Sequence, residues 1–232
     1  MPTDANNENI HASVAPKRTA MAQPTRRTAC ILAAWLLLIA GSRTAVADIV
    51  TDCRSGNPAR AIEGCSIVID SGMTAPMDLA TAYTYRANAS ETVGKHGDAL
   101  TDLNKAIALN PNLAGLYSNR GNVYMSLGDE DQALADYTQA IQLDLNFAGA
   151  YFNRGNVYSR RGDLDSALTD LTAAVHLNPT YAPAYFNRGI VYFRMGRAAD
   201  ATVDFRKTLA LNPQHEGALS ALRLLEKTAH TK

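Results

Sequence analysis

Four arginines, Arg86, Arg120, Arg154 and Arg188, recur along the chain at a step of 34 residues. Sixteen residues after each comes an aspartate: Asp102, Asp136, Asp170 and Asp204. A guanidinium presents its donors in a fixed fork that matches a carboxylate, so this spacing points to ionic pairing rather than to bond-making chemistry. Residues able to make or break bonds are sparse. The five histidines (His11, His96, His176, His215 and His230) are not spaced to place two metal ligands on one helix face. No serine sits in a nucleophile elbow, and no glycine-rich phosphate loop occurs. An enzyme is therefore not expected, and neither a metal nor a cofactor is called for.

The cysteines are Cys30, Cys53 and Cys65. Cys30 belongs to an uninterrupted apolar run, Cys30–Ala40, which follows Arg26-Arg27 and precedes the helix-breaking Gly41-Ser42 and the small-x-small triplet Ala45-Val46-Ala47. This order of parts is that of a secretory signal over residues 21–47, cleaved after Ala47, and implies a periplasmic or secreted protein. The alternative is an uncleaved anchor, but a span needs about 20 apolar residues and this run is shorter. Residues 1–20 are polar and unpatterned, and either Met1 or Met21 is the start. Export leaves Cys53 and Cys65. In an oxidising compartment they are expected to pair, in a short loop worth about 3 kcal/mol; a metal site and free thiols are the alternatives.

Residues 1–47 hold five basic side chains (Lys17, Arg18, Arg26, Arg27, Arg43) and two acidic ones (Asp4, Glu8), out of 22 of each sign in the whole chain. The remainder is therefore acidic by three charges. Such a body has no electrostatic reason to bind nucleic acid or an anionic membrane.

The elements that must position the Arg–Asp pairs are legible as a repeat. Tyr117–Tyr124 (YSNRGNVY) returns as Tyr151–Tyr158 (YFNRGNVY) and Tyr185–Tyr192 (YFNRGIVY), each 34 residues on. Ala133, Ala167 and Ala201 keep the same step, and Tyr83, Arg86, Ala87 and Ala99 form a weaker earlier copy. Within a unit, Tyr151, Gly155 and Tyr158 make one helical face, Gly162-Asp163 breaks it, and Ala167, Leu168, Leu171, Ala174 and Val175 make a second. Asn178-Pro179 ends the second helix. Folding such a hairpin about its turn brings the arginine and the aspartate to similar heights on antiparallel helices. An Arg–Asp ladder is expected, within a unit or across to its neighbour; the alternative is a row of arginines poised for a ligand. A lone hairpin cannot bury both its faces, so the units must stack.

In this order of residues (aromatic, tyrosine, turn glycine, alanine, large apolar, alanine, proline) the chain resembles the tetratricopeptide repeat family over residues 80–213. It departs from the family's pattern where Arg86, Arg120, Arg154 and Arg188 replace the usual leucine, where tyrosine replaces tryptophan, and where Ser90 stands for a tyrosine. The resemblance implies an all-α, right-handed α-solenoid with units at 80–113, 114–147, 148–181 and 182–215. Ahead of them, residues 48–79 read as a degenerate half-repeat whose second helix spans 58–71. Behind them, residues 216–232 read as a capping helix and tail. Ala218, Leu222, Leu225 and Ala229 form the cap's apolar stripe, and Glu216, Ser220, Arg223 and Lys227 its solvated face.

The same resemblance places first-helix side chains on a concave groove. Carried onto this sequence, they are Asn119, Asn122, Asn153, Asn156 and Asn187, interleaved with Tyr85, Phe152 and Phe186, with Arg160 and Arg194 near the rim. An asparagine amide both donates and accepts, so such a row can pair with an extended peptide backbone, or else bond within the repeats. The family's carboxylate clamp needs lysines where this chain has Thr84, Ser118, Phe152 and Phe186, and is not expected. The partner implied is a protein or peptide segment held in the groove. A structural role in an envelope complex through the caps or the convex face, with self-association left open, is the alternative.

Overall fold

The computed structural model describes residues 43–72 and 78–229. Among these residues it is all-helical, with eleven helices and no strand. They are α1 (Arg43–Cys53), α2 (Pro58–Ser71), α3 (Leu79–Thr92), α4 (His96–Leu109), α5 (Ala114–Leu127), α6 (Glu130–Leu143), α7 (Ala148–Arg161), α8 (Leu164–Leu177), α9 (Ala182–Arg194), α10 (Ala198–Leu211) and α11 (Glu216–Ala229). The four expected units are the hairpins α3/α4, α5/α6, α7/α8 and α9/α10. The start at 1–20 and most of the expected signal lie outside the described residues.

Helix ends follow local chemistry. Asn57 accepts hydrogen bonds from the Ala59 and Arg60 N–H groups, and Pro58 occupies the first turn. Asp129 and Asp163 cap the second helices of their units by accepting from Gln132 N–H and Ser166 N–H. Lys95 and Arg197 hold the same place in the other two units and make no side-chain cap. Gly128 and Gly162 close the first helices at φ 80° and 84°, backbone that a side chain disfavours.

Two helices of a hairpin approach closely because one of them lacks a side chain where the other is large. A Cβ on Gly121 would lie 2.7 Å from the Tyr137 ring, and one on Gly189 2.7 Å from the Phe205 ring. Where the opposing residue is Leu103, Ala87 fits. Neighbouring units are joined by valines of the first helices. Val123 packs against Ala99 and Leu103, Val157 against Ala133 and Tyr137, and Val191 against Ala167 and Leu171. Each fully buried valine contributes about 1.5–3 kcal/mol. Leu225, 34 residues after Val191, fills that role from α11 against Ala201 and Phe205. Ala218, Leu222 and Leu225 of the expected cap stripe face this cluster, whereas Glu216, Ser220, Arg223 and Lys227 are exposed.

An eleven-residue helix, α1, packs on α2, so the half-repeat is a complete hairpin, and α1 runs across the Ala47–Asp48 bond. Cys53 and Cys65, both fully buried, are joined by a disulfide with Cα atoms 4.4 Å apart. Gly64 permits this approach: a Cβ there would lie 2.6 Å from the Cys53 nitrogen.

The Arg–Asp ladder forms within each unit. Arg86, Arg120, Arg154 and Arg188 each donate from Nε and Nη2 to both oxygens of Asp102, Asp136, Asp170 and Asp204, at 2.7–2.9 Å. A third bond, from Nη1, crosses to the second helix of the preceding unit, where it meets Ser66, Asn104, Thr138 and Thr172 in turn. Each guanidinium also lies over the tyrosine one turn earlier, at 5.6–5.8 Å from the ring centre of Tyr83, Tyr117, Tyr151 or Tyr185. Hydrogen bonding to aspartate raises each arginine above its ordinary pKa, against the opposing pull of burial. A group raised in the folded state contributes stability that is present below its unfolded pKa, here across the whole ordinary pH range, and lost only in strong alkali.

The aspartate side chains are 3–7% exposed and the arginines 16–21%. Removing one partner strands the other in a dry site. Arg154→Ala is expected to lose about 3–5 kcal/mol of stability by urea unfolding; a loss under about 1 kcal/mol, the value of a surface pair, would contradict the ladder's burial.

Candidate functional site

The first helices of successive hairpins touch one another along the stack, α1 to α3, α3 to α5, α5 to α7 and α7 to α9, while each second helix lies chiefly against the first helices on either side of it. The first helices therefore form one continuous face, and the expected groove residues lie on it. They are not equivalent.

In the C-terminal half the asparagines bond to one another. Asn153 Nδ2 donates to Asn122 Oδ1 at 3.0 Å, and Asn187 Nδ2 donates to Asn156 Oδ1 at 2.7 Å. Asn122 Oδ1 also accepts from the buried Tyr137 hydroxyl at 2.8 Å. These rungs run between units, so four of the five amides expected to serve a peptide are partly engaged in holding the stack. Each rung keeps spare capacity, because an amide has two N–H donors and two acceptor lone pairs.

The phenylalanines are drawn inward. Phe152 packs on Tyr181 with ring centres 4.9 Å apart, and burial raises the Tyr181 phenol pKa. Phe186 packs on Phe205 at 5.8 Å and on His215 at 4.4 Å. Both rings are half-buried against the start of the next unit or the cap, so they close the groove's floor rather than standing open in it. The rim arginines are likewise engaged: Arg160 lies 3.4 Å from Glu130, and Arg194 donates to the Ser159 carbonyl and hydroxyl.

The N-terminal half is open. Thr84 and Ser118 stand where Phe152 and Phe186 plug the later units. Beside Thr84, between α3 and α5, lies a cavity of about 400 Å3. It is lined by Thr81, Thr84, Tyr85, Asn88, Leu116 and Asn119, among others. Tyr85 is 38% exposed there. Asn88 and Asn119 hold the positions that form rungs further along, yet their amides make no hydrogen bond among the described residues. Asp78, which caps α3 through the Thr81 N–H, is the cavity's single charged side chain. The site thus offers two free amides, a phenol and an apolar floor, and suits a neutral or basic side chain with polar backbone beside it. Sequence reasoning missed Asn88, Leu113 and Leu116. The small residues Thr84 and Ser118 were the available sign.

Tetratricopeptide repeat models match residues 93–128, 121–162 and 155–196, and again 182–215. No curated protein matches the chain. Among solved structures, that of MamA is 26% identical, with a TM-score of 0.58 over 62% of this chain and 84% of that one. The first repeat domain of Spaghetti (RPAP3), solved bound to the HSP90 peptide SRMEEVD, is 29% identical, with a TM-score of 0.50 over 51% of this chain and 94% of that one. YrrB, described as a repeat protein with an unusual peptide-binding site, is 24% identical over 84% of this chain and 90% of that one, with a TM-score of 0.57, a likeness of fold alone.

The division of the groove can be read from stability. Asn122→Ala strands the Tyr137 hydroxyl and is expected to lose about 1–3 kcal/mol, whereas Asn119→Ala stays within about 0.5 kcal/mol of wild type in urea unfolding. Equal losses at both positions would mean that Asn119 is as engaged as Asn122.

Proposed function

From the chain's membership of the tetratricopeptide repeat family, which its repeats span from residue 93 to 215, we propose that it is a binding scaffold that takes an extended protein segment along its first-helix face. The observation that carries this reading is the cavity between α3 and α5, where Tyr85, Asn88 and Asn119 are left without the partners that occupy their counterparts. The unpaired amides bond the segment's backbone, and the apolar floor of Leu113 and Leu116 takes one of its side chains. The rungs Asn122–Asn153 and Asn156–Asn187 extend the polar track with their remaining donors and acceptors. The RPAP3 repeat domain, solved with a peptide bound, supports peptide binding by a stack of such repeats. The acidic end of that peptide does not transfer, since this cavity offers no cation and one carboxylate, Asp78.

The scaffold acts outside the cytoplasm. The basic, apolar and small-residue order of 21–47 supports export, and the buried Cys53–Cys65 bridge suits an oxidising compartment. Cleavage after Ala47 shortens α1 to its last turn and a half, which the disulfide keeps on α2. The cap does not favour assembly through the chain's end: its exposed Leu224 is flanked by Arg223, Glu226 and Lys227.

Two outcomes test the proposal. Intact mass of exported protein should begin at Asp48, and the product should lack tryptophan emission because Trp35 is the sole tryptophan; tryptophan emission from the exported protein would mean a retained segment. In capture from a periplasmic extract, a partner held by wild type should be lost at least about tenfold by Tyr85→Ala combined with Asn119→Ala, the equivalent of ~1.4 kcal/mol. Equal retention by a variant that folds as wild type does would move the working surface off this groove.

A further inference from the structure

A second cavity, of about 330 Å3, opens between the second helices α2 and α4. It is separate from the groove: α3 turns Thr84, Tyr85 and Asn88 to one cavity, and Arg86 and Ser90 to the other. Ile62 and Ser66 of α2 and Lys95, Asp98, Thr101 and Lys105 at and along α4 complete the lining.

The molecule supplies its own control for what made this cavity. Ser90 holds the position of Tyr124, Tyr158 and Tyr192, whose half-buried rings pack into the cores of the other three units. In the first unit the ring is gone. Ser90 itself is 3% exposed, and its hydroxyl lines the cavity without a hydrogen-bond partner among the described residues. The hydroxyl opens onto the cavity, where water or a ligand can meet it.

Lys95 is the second departure at the same place. Its counterparts Asp129 and Asp163 cap their helices, whereas Lys95, like Arg197 in the last unit, makes no cap; Lys95 also has no carboxylate within ion-pair distance among the described residues, while Arg197 pairs with Asp200. Lys105 is likewise without an acidic partner there, resting 5.2 Å over the Tyr83 ring. Arg86 uses three N–H groups on Asp102 and Ser66 and has two more to give. The lining is thus rich in donors. Asp102 is already committed to Arg86, which leaves Asp98 as the opposing charge. Two residues that each weaken the repeat, converging on one donor-rich cavity, are the pattern of a site in which stability has been traded for binding.

We propose that this cavity binds a small ligand through an oxyanion, carboxylate or phosphate, held by Lys95, Lys105, the spare N–H groups of Arg86 and the Ser90 hydroxyl. Asp98 accepts a hydrogen bond from a donor group of the same ligand. The ligand occupies the volume that a tyrosine ring takes in the other units, and so ties α2 to the first full unit.

The test titrates the exported protein with inorganic phosphate and, separately, with glutarate, following backbone amide resonances at constant ionic strength. Saturable shifts confined to residues around Ser90, Lys95 and Thr101, with a Kd of about 1 mM or tighter, are expected for at least one probe, and the tighter of the two identifies the anion. Two variants import residues that sister units already carry. Ser90→Tyr fills the cavity with the missing ring, and Lys95→Asp restores the cap. Each should weaken binding at least about tenfold while leaving the melting temperature equal to wild type or higher. No saturable shift with either probe overturns the site. So does a Ser90→Tyr protein that still binds as wild type does, because the lysines would then be acting as surface charges without the cavity. Should Ser90→Tyr fail to fold, Lys95→Asp decides by the same criterion.

Discussion

Each step of this stack depends on a guanidinium that reaches three helices at once. The arginine rises from the first helix of a unit, grips both oxygens of an aspartate on the second, and spends a third donor on the second helix of the unit before. The geometry leaves little freedom. A leucine at that position would bury as much apolar surface but would fix neither height nor rotation. The fork fixes both, because its two parallel bonds to aspartate hold only when the helices are in register. The same device docks the N-terminal hairpin. Four additional residues separate Arg86 from Ser66 compared with the step to Asn104, Thr138 or Thr172, yet Ser66 receives the same bond. The register survives the insertion.

A stack held so uniformly does not offer a uniform face. From the third unit onward the groove is lined by its own side chains: aromatic rings lean on the next unit, and asparagines pair across the joint. At the first joint the same positions carry Thr84 and Ser118, with unpaired Asn88 and Asn119. Rigidity at one end and unsatisfied polar groups at the other is what a scaffold needs if the partner's energy is to come from bonds the protein has not already made with itself. The first unit is also where the outer layer opens, through Ser90. Both cavities therefore flank α3, the helix that joins the disulfide-bonded N-terminal hairpin to the regular stack.

Much of this was legible in the sequence because repetition converts spacing into geometry. The 34-residue period gave the hairpins, and the constant separation of 16 from arginine to aspartate gave the ladder, since an antiparallel pair must bring those positions level. Asn57-Pro58 and the cap's Ala218, Leu222 and Leu225 were readable from local signals of capping and periodicity. Two things were not. Helix α1 lies where the sequence is dominated by the marks of a cleavage site, and those marks hide an ordinary helical segment. The groove's asymmetry escaped because periodicity says which face a side chain is on, not whether a neighbouring unit takes it up. Whether Phe186 stands open or lies against His215 depends on a residue 29 positions away, beyond the second helix of its unit. The sign that did exist was subtraction: Thr84, Ser118 and Ser90 are smaller than their counterparts, and each cavity opens beside one of them.

The most direct test of the central claim, that the first joint is where a partner is held, is site-specific photocrosslinking in the exporting cell. A photoreactive phenylalanine analogue would be placed in turn at Tyr85, at Phe193 and at Leu224, all exposed positions on the first unit, the last unit and the cap. A discrete adduct is expected from Tyr85 and none from Leu224, with Phe193 giving at most a weaker adduct of the same mass. A discrete adduct from Leu224 with none from Tyr85 would contradict that claim, and would place the working surface on the end of the stack.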